Sequence, residues 1–210
     1  MTDNSTGSSL DRLRDAVRRT RELTRDRVAT GRSHDDADED TGTIDTDDAL
    51  GFDPFPLLGA LHRAGARAVV MGQVAGIMHG STELTGDLDL LWDGAPDHAA
   101  AFLTGFAEVG AKLNDDDGNP LALSIEAFRL PKVQFSSPNA SGDCCTPLLP
   151  WGGIDVAGFL GRALTATDRD GMQVHYLRCD DLVMMRRAVG RPKDRRRADE
   201  LETLMASGNP

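Results

Sequence analysis

Apolar residues recur along the 210-residue chain in two rhythms. Over 57–64, 73–79, 96–109, 157–166, 180–189 and 194–206 they return every three or four positions, the spacing that gives a helix one buried stripe. Over 66–71, 87–92, 121–130, 132–136 and 172–177 they alternate or run together, as in half-buried or fully buried strands. Residues 137–150, with Gly142 and several prolines, read as a loop, and 154–156 as a short strand or strand end. Pro96 suits a first helical turn, and Gly190-Arg191-Pro192 separates the last two helices. Helices and strands interleave from residue 47 to the end without an internal repeat. This predicts an α/β (α+β) domain over 47–210, a mixed β-sheet flanked by helices.

Residues 1–46 follow another rule. Leu10, Leu13, Val17 and Leu23 form a thin apolar stripe among many charges, and an acidic run around 33–43 cannot bury enough surface to order itself. The expectation is a mobile acidic extension carrying one amphipathic helix, with a partner-binding or oligomerising helix as the alternative.

Composition narrows the function. Lys and Arg number 23 against 34 Asp and Glu, a net charge of -11 that disfavours broad DNA binding or an anionic membrane surface. No apolar run approaches the roughly 18 residues of a membrane span, and the polar N-terminus resembles no export leader, so a cytoplasmic protein is expected. Three cysteines, two of them adjacent (Cys144, Cys145), suggest neither a disulfide framework nor a metal site. His62, His98 and His175 are scattered without zinc spacing. His79, ahead of Gly80, reads as a helix-end residue.

The chemistry concentrates in Met71-Gly72-Gln73 and the following Thr85-Gly86-Asp87-Leu88-Asp89. On a strand Asp87 and Asp89 share one face, and a carboxylate pair of this kind suits a hard divalent cation shared with substrate phosphates. A helix start at Gly72-Gln73 could offer backbone N–H groups to those phosphates. The plain alternative is a pair of strand-edge carboxylates in water. Arg186, Arg187, Arg191, Lys193 and Arg195–Arg197 form the one concentrated cationic region, either a solvated helix face or a contact for triphosphate or an RNA acceptor.

The run Gly72…Ala75…His79-Gly80…Thr85-Gly86-Asp87-Leu88-Asp89, with the closing segment Asp181…Gly190-Arg191-Pro192-Lys193-Asp194…Leu204, resembles the nucleotidyltransferase superfamily. It is most similar to small bacterial members related to abortive-infection nucleotidyltransferase toxins, over residues 50–206. The resemblance implies a nucleotidyltransferase-like fold and Mg²⁺-dependent (or Mn²⁺-dependent) transfer of a nucleoside monophosphate from an NTP to RNA, protein or a small molecule, with release of pyrophosphate. It implies a cognate regulatory protein as a further partner. Asp87 and Asp89 would be metal ligands, with Asp155 in Gly152-Gly153-Ile154-Asp155 as third acid and general base, and Asp143 in reserve. Gly72, Gln73, Thr85, Arg191 and Lys193 would contact the nucleotide, Thr85 alternatively orienting the aspartate strand. Three positions depart from the family pattern: Gln73 for a small residue, Glu83 for Arg, and Arg186 for Lys. They keep open a non-catalytic module that binds a nucleotide or a partner, favoured if Glu83 fills the site and pairs with Arg191.

Overall fold

A computed structural model of the chain describes residues 8–32 and 44–208. In chain order it contains helix α1 (Ser9–Thr24), α2 (Phe55–Arg63), strand β1 (Val69–Val70), α3 (Gly72–Met78), β2 (Leu90–Leu91) and α4 (Pro96–Glu108). There follow β3 (Lys112–Asn114), β4 (Pro120–Leu121), β5 (Lys132–Ser136), β6 (Ser141–Cys145), α5 (Ala157–Leu160), β7 (Leu164–Thr167), β8 (Gln173–Tyr176), α6 (Cys179–Val189) and α7 (Pro192–Ala206). Among the described residues the strands form one mixed sheet in the order β4-β3-β5-β6-β2-β1-β8-β7. The pairs β1–β8 and β2–β6 are parallel and the others antiparallel. The molecule is therefore a mixed-sheet α+β domain, and no helix among the described residues is long and apolar enough to cross a membrane.

The expected mobile extension is corrected over residues 8–32. Helix α1 opens on a capping box: Ser8 Oγ accepts from the Asp11 N–H (3.2 Å), and the Ser8 N–H donates back to Asp11 Oδ2 (3.3 Å). Leu10, Leu13, Ala16, Val17, Thr20 and Thr24 are all buried. The small residues Ala16, Thr20 and Thr24 complete the stripe that the large apolar residues only sketch, whereas Leu23 is 64% exposed. Arg12 donates to the Met78 carbonyl at the end of α3 (2.7 and 3.0 Å), satisfying a terminal acceptor that the helix itself cannot. Beyond α1, the Asp47 carboxylate accepts from the backbone N–H groups of Thr30 (2.9 Å) and Gly31 (2.6 Å). The acidic run at 33–43 lies outside the described residues.

Four other stretches differ from expectation. Residues 121–130 give only the end of β4 and a 3₁₀ turn, Ala127–Arg129. That turn places Phe128 in an aromatic cluster with Trp92, Phe102, Phe106 and Phe135, at centroid distances of 4.6–6.5 Å. The helix expected over 157–166 stops at Leu160, and the Leu164-Thr165-Ala166-Thr167 run pairs with β8 instead. Residues 154–156 are not a strand. The 137–150 stretch contains β6, the strand on which the site depends.

Candidate functional site

Register brings the acidic residues together. An isolated parallel bridge joins Asp87 to Ser141, and β2 pairs Leu90 with Cys144 and Leu91 with Cys145. The offset is the same at both ends, so Asp89 stands opposite Asp143. Directly paired residues point to the same face of a sheet. The antiparallel β5–β6 pairing adds Lys132, opposite Cys145, to that face. The close approach of the strands needs Gly142: a Cβ there would lie 2.1 Å from the Leu88 carbonyl oxygen. Ser141 Oγ donates to Asp48 Oδ1 (2.5 Å), fixing where β6 begins.

These residues line a cavity of about 590 Å³ between the sheet and the ends of α3, α6 and α7. Asp87, Asp89, Asp116, Asp143 and Asp194 supply its carboxylates, and Lys132, Arg186, Arg191, Lys193 and Arg197 its cations. Gly72 makes the tightest contact. Its φ is +61°, and a Cβ would sit 2.0 Å from Asp89 Oδ2, so the carboxylate rests directly against the start of α3. Thr85 is buried behind the aspartates, and its hydroxyl donates to Asp87 Oδ1. Of its two expected roles, Thr85 therefore orients the aspartate rather than lining the cavity.

Gln73 and Arg186 form one buried unit beneath the site. Arg186 donates to the carbonyls of Gly72 (3.1 Å) and Arg197 (3.0 Å) and to Gln73 Oε1 (2.8 Å). Gln73 Nε2 donates in turn to Ser81 Oγ (2.9 Å) and the Glu83 carbonyl (2.7 Å). The amide of Gln73 is committed on both ends, so its side chain supports the Gly72 turn from its place in the cavity lining. Burial, and then the Arg197 guanidinium, bring the Arg186 pKa down to about 10, which leaves it cationic at neutral pH. Glu83 accepts from Arg197 Nε (2.8 Å) and Arg196 (3.4 Å), while Arg191 pairs with Asp194 (2.7 Å). Glu83 thus turns away from Arg191 and does not line the cavity.

Lys193 is buried at the start of α7. Burial lowers its pKa, as do Arg191 and Arg197, while Asp87 and Asp194 act the other way. Lys132 Nζ lies 2.8 Å from Asp116 Oδ1 and 3.6 Å from Asp143 Oδ2. Burial works against its charge, yet the two carboxylates outweigh it and hold its pKa above the usual lysine value. Burial and the Asp143 and Asp89 carboxylates push the Cys145 thiol well up, away from the reactive thiolate form. His79 is buried with Nε2 against the Leu177 carbonyl (2.8 Å), outside the cavity lining.

The structure does not bring Asp155 to this cavity. It is exposed, and its Oδ1 accepts from the Ala157 N–H (2.9 Å), an ordinary turn preceding α5. Asp143, the reserve, lines the cavity. Sequence reasoning put it in a loop because Ser141-Gly142-Asp143-Cys144-Cys145 holds none of the β-branched or aromatic residues that mark strands. Lys132 and Asp116 were not singled out at all. The usable signal for Lys132 was its alternation with Val133 and Phe135, which sets its side chain on the face opposite the core. No protein-family model matches the chain, and no curated protein matches it.

Proposed function

We propose that the chain is a Mg²⁺-dependent nucleotidyltransferase on a nucleotidyltransferase-like fold, with Asp87, Asp89 and Asp143 as its acidic set. The observation that carries this reading is the register that puts Asp89 opposite Asp143, with Asp87 two residues away, in one cavity with Lys193. The donor set fits a hard divalent ion. All donors are carboxylate oxygens, and Gly72 leaves room for the Asp89 carboxylate that any side chain would fill. Among the described residues no group of three or more His, Cys, Asp or Glu side chains is already gathered closely enough to hold a metal ion. When bound, Mg²⁺ would offset charge on the triphosphate and the leaving pyrophosphate.

The chain's own residues then have distinct tasks. Arg186 and Gln73 hold the Gly72 turn, and Thr85 holds Asp87. Lys193 and Arg191 give positive charge to the phosphates. Asp143 takes the proton of the acceptor hydroxyl as its oxygen bonds to the α-phosphorus and the bond to pyrophosphate breaks. The acceptor (RNA, protein or small molecule), a cognate regulatory protein and a cytoplasmic setting belong to this proposal. Thermal melting with each of the four NTPs, with and without Mg²⁺ or Mn²⁺, tests it. A metal-dependent stabilisation by an NTP, absent in Asp87→Asn/Asp89→Asn, is expected; no stabilisation by any NTP would contradict it.

A second reading, a non-catalytic nucleotide-binding module, is favoured by one observation: the Lys132 ammonium already offers positive charge to Asp143. It is distinguished by NTP binding without label transfer from α-labelled NTP to RNA, to the protein itself or to another acceptor.

A further inference from the structure

The cavity contains an apolar part that phosphate and metal chemistry leaves unused. Leu182, Met185 and Val189 lie on one face of α6, and Leu149 and Trp151 join them from the turn after β6. Ligand pockets pair such apolar surface with a few polar groups, and about 590 Å³ is within their usual range of roughly 300–1,000 Å³. Trp151 is held in an unusual way. It is the only residue other than glycine with positive φ among the described residues, at +29°. Its indole Nε1–H donates to the Thr146 carbonyl (2.9 Å), so the polar edge of the ring is satisfied within the protein. The following Gly152 packs on α6 so closely that a Cβ would lie 2.4 Å from the Ala188 carbonyl oxygen. Backbone strain of this kind persists where the surroundings impose it and gathers at ligand sites. The result is an aromatic ring locked in orientation at the wall of a charged cavity.

Resting on the nucleotidyltransferase reading, we propose that Trp151 is the platform on which the base of the bound NTP stacks, with Leu149 and Val189 closing the same subsite. Phosphates at Lys193 and Asp87 and a base at Trp151 would occupy one continuous cavity, as one nucleotide requires. Every base offers a π-face, so stacking on Trp151 gives affinity without choosing among bases.

The chain has two tryptophans, and Trp92 is only 1% exposed and shielded from a water-borne quencher, so acrylamide quenching of the fluorescence reports on Trp151. The test titrates the full chain with Mg²⁺-NTP and, separately, with inorganic tripolyphosphate, while following emission and acrylamide quenching. NTP binding is expected to change the emission and shield Trp151 from acrylamide, and tripolyphosphate to bind without doing so. Trp151→Ala should weaken NTP binding about tenfold or more and leave tripolyphosphate unchanged, with Trp151→Phe recovering most of the loss. NTP binding seen by calorimetry with no change in Trp151 accessibility would overturn the inference in the wild-type protein, whatever the variants do. An equal loss for NTP and tripolyphosphate in both variants would also overturn it. If either happens while Asp89→Asn still abolishes binding, the base platform alone fails. If the wild type binds neither probe, both readings fail.

Discussion

Gly72 and Asp89 meet where any side chain would intrude, which makes this contact the sharpest residue-level test of the site. Gly72→Ala puts a methyl group 2.0 Å from Asp89 Oδ2 and forces a left-handed φ on a residue with a Cβ. The backbone cost is about 1–2 kcal/mol, or roughly 2–8 °C in Tm for a chain of this size. Mg²⁺-dependent NTP binding should fall by at least about tenfold, 1.4 kcal/mol, because the carboxylate must leave its place. A variant that melts lower yet binds NTP as well as wild type would remove Asp89 from the site. His79 gives a second residue-scale test. Burial first, then the Arg12 and Arg186 charges, hold its pKa below the ordinary value of 6.5. The unfolded chain therefore takes up a proton near pH 6.5 that the folded chain resists, so the stability His79 contributes is present above pH 6.5 and lost as pH falls towards its folded pKa. Melting from pH 7.5 to 5 should show a steeper decline for wild type than for His79→Gln; parallel curves would contradict this.

At the scale of elements, α1 is the clearest departure from expectation. Leu13 is fully buried in the core, so Leu13→Ala should cost about 2–5 kcal/mol in urea unfolding. A loss below about 0.5 kcal/mol, the usual range for surface substitutions, would restore the mobile extension. How far each element was legible followed from its residues. Helices α2, α3, α4, α6 and α7 and strands β1, β5 and β8 were visible because their large apolar residues keep a clean period. α1 was misjudged because Ala16, Thr20 and Thr24 do half its packing. β6 was missed because Gly, Asp and Cys make it a strand through pairing with β2 and β5, a tertiary effect that no local propensity reports. For the same reason Asp87 and Asp89, in an apolar-patterned run just ahead of β2, stand out in the sequence, whereas Asp143 ranks behind Asp155, whose Gly-Gly context makes only a turn.

For the whole molecule, charge decides how a polyanion could bind. The chain is strongly acidic overall, with a net charge of -11, while the cavity is lined by five cationic and five carboxylate side chains. A lining so balanced gives an NTP little attraction by itself, and a divalent ion would tip it positive. NTP binding should therefore weaken markedly when EDTA removes Mg²⁺, and decline with added salt as screening shortens the field to about 10 Å at 0.1 M. Binding by calorimetry that is unaffected by EDTA would separate the nucleotide from the carboxylates. On the proposed reading Asp143, brought opposite Asp89 by the β2–β6 register, completes the acidic set. Its most direct test is calorimetric Mg²⁺-NTP binding by wild type, Asp143→Asn and Asp155→Asn, using the NTP that stabilises the wild type. Binding retained in Asp155→Asn and lost in Asp143→Asn is the expected result; the opposite pattern, or equal binding by all three, would contradict it.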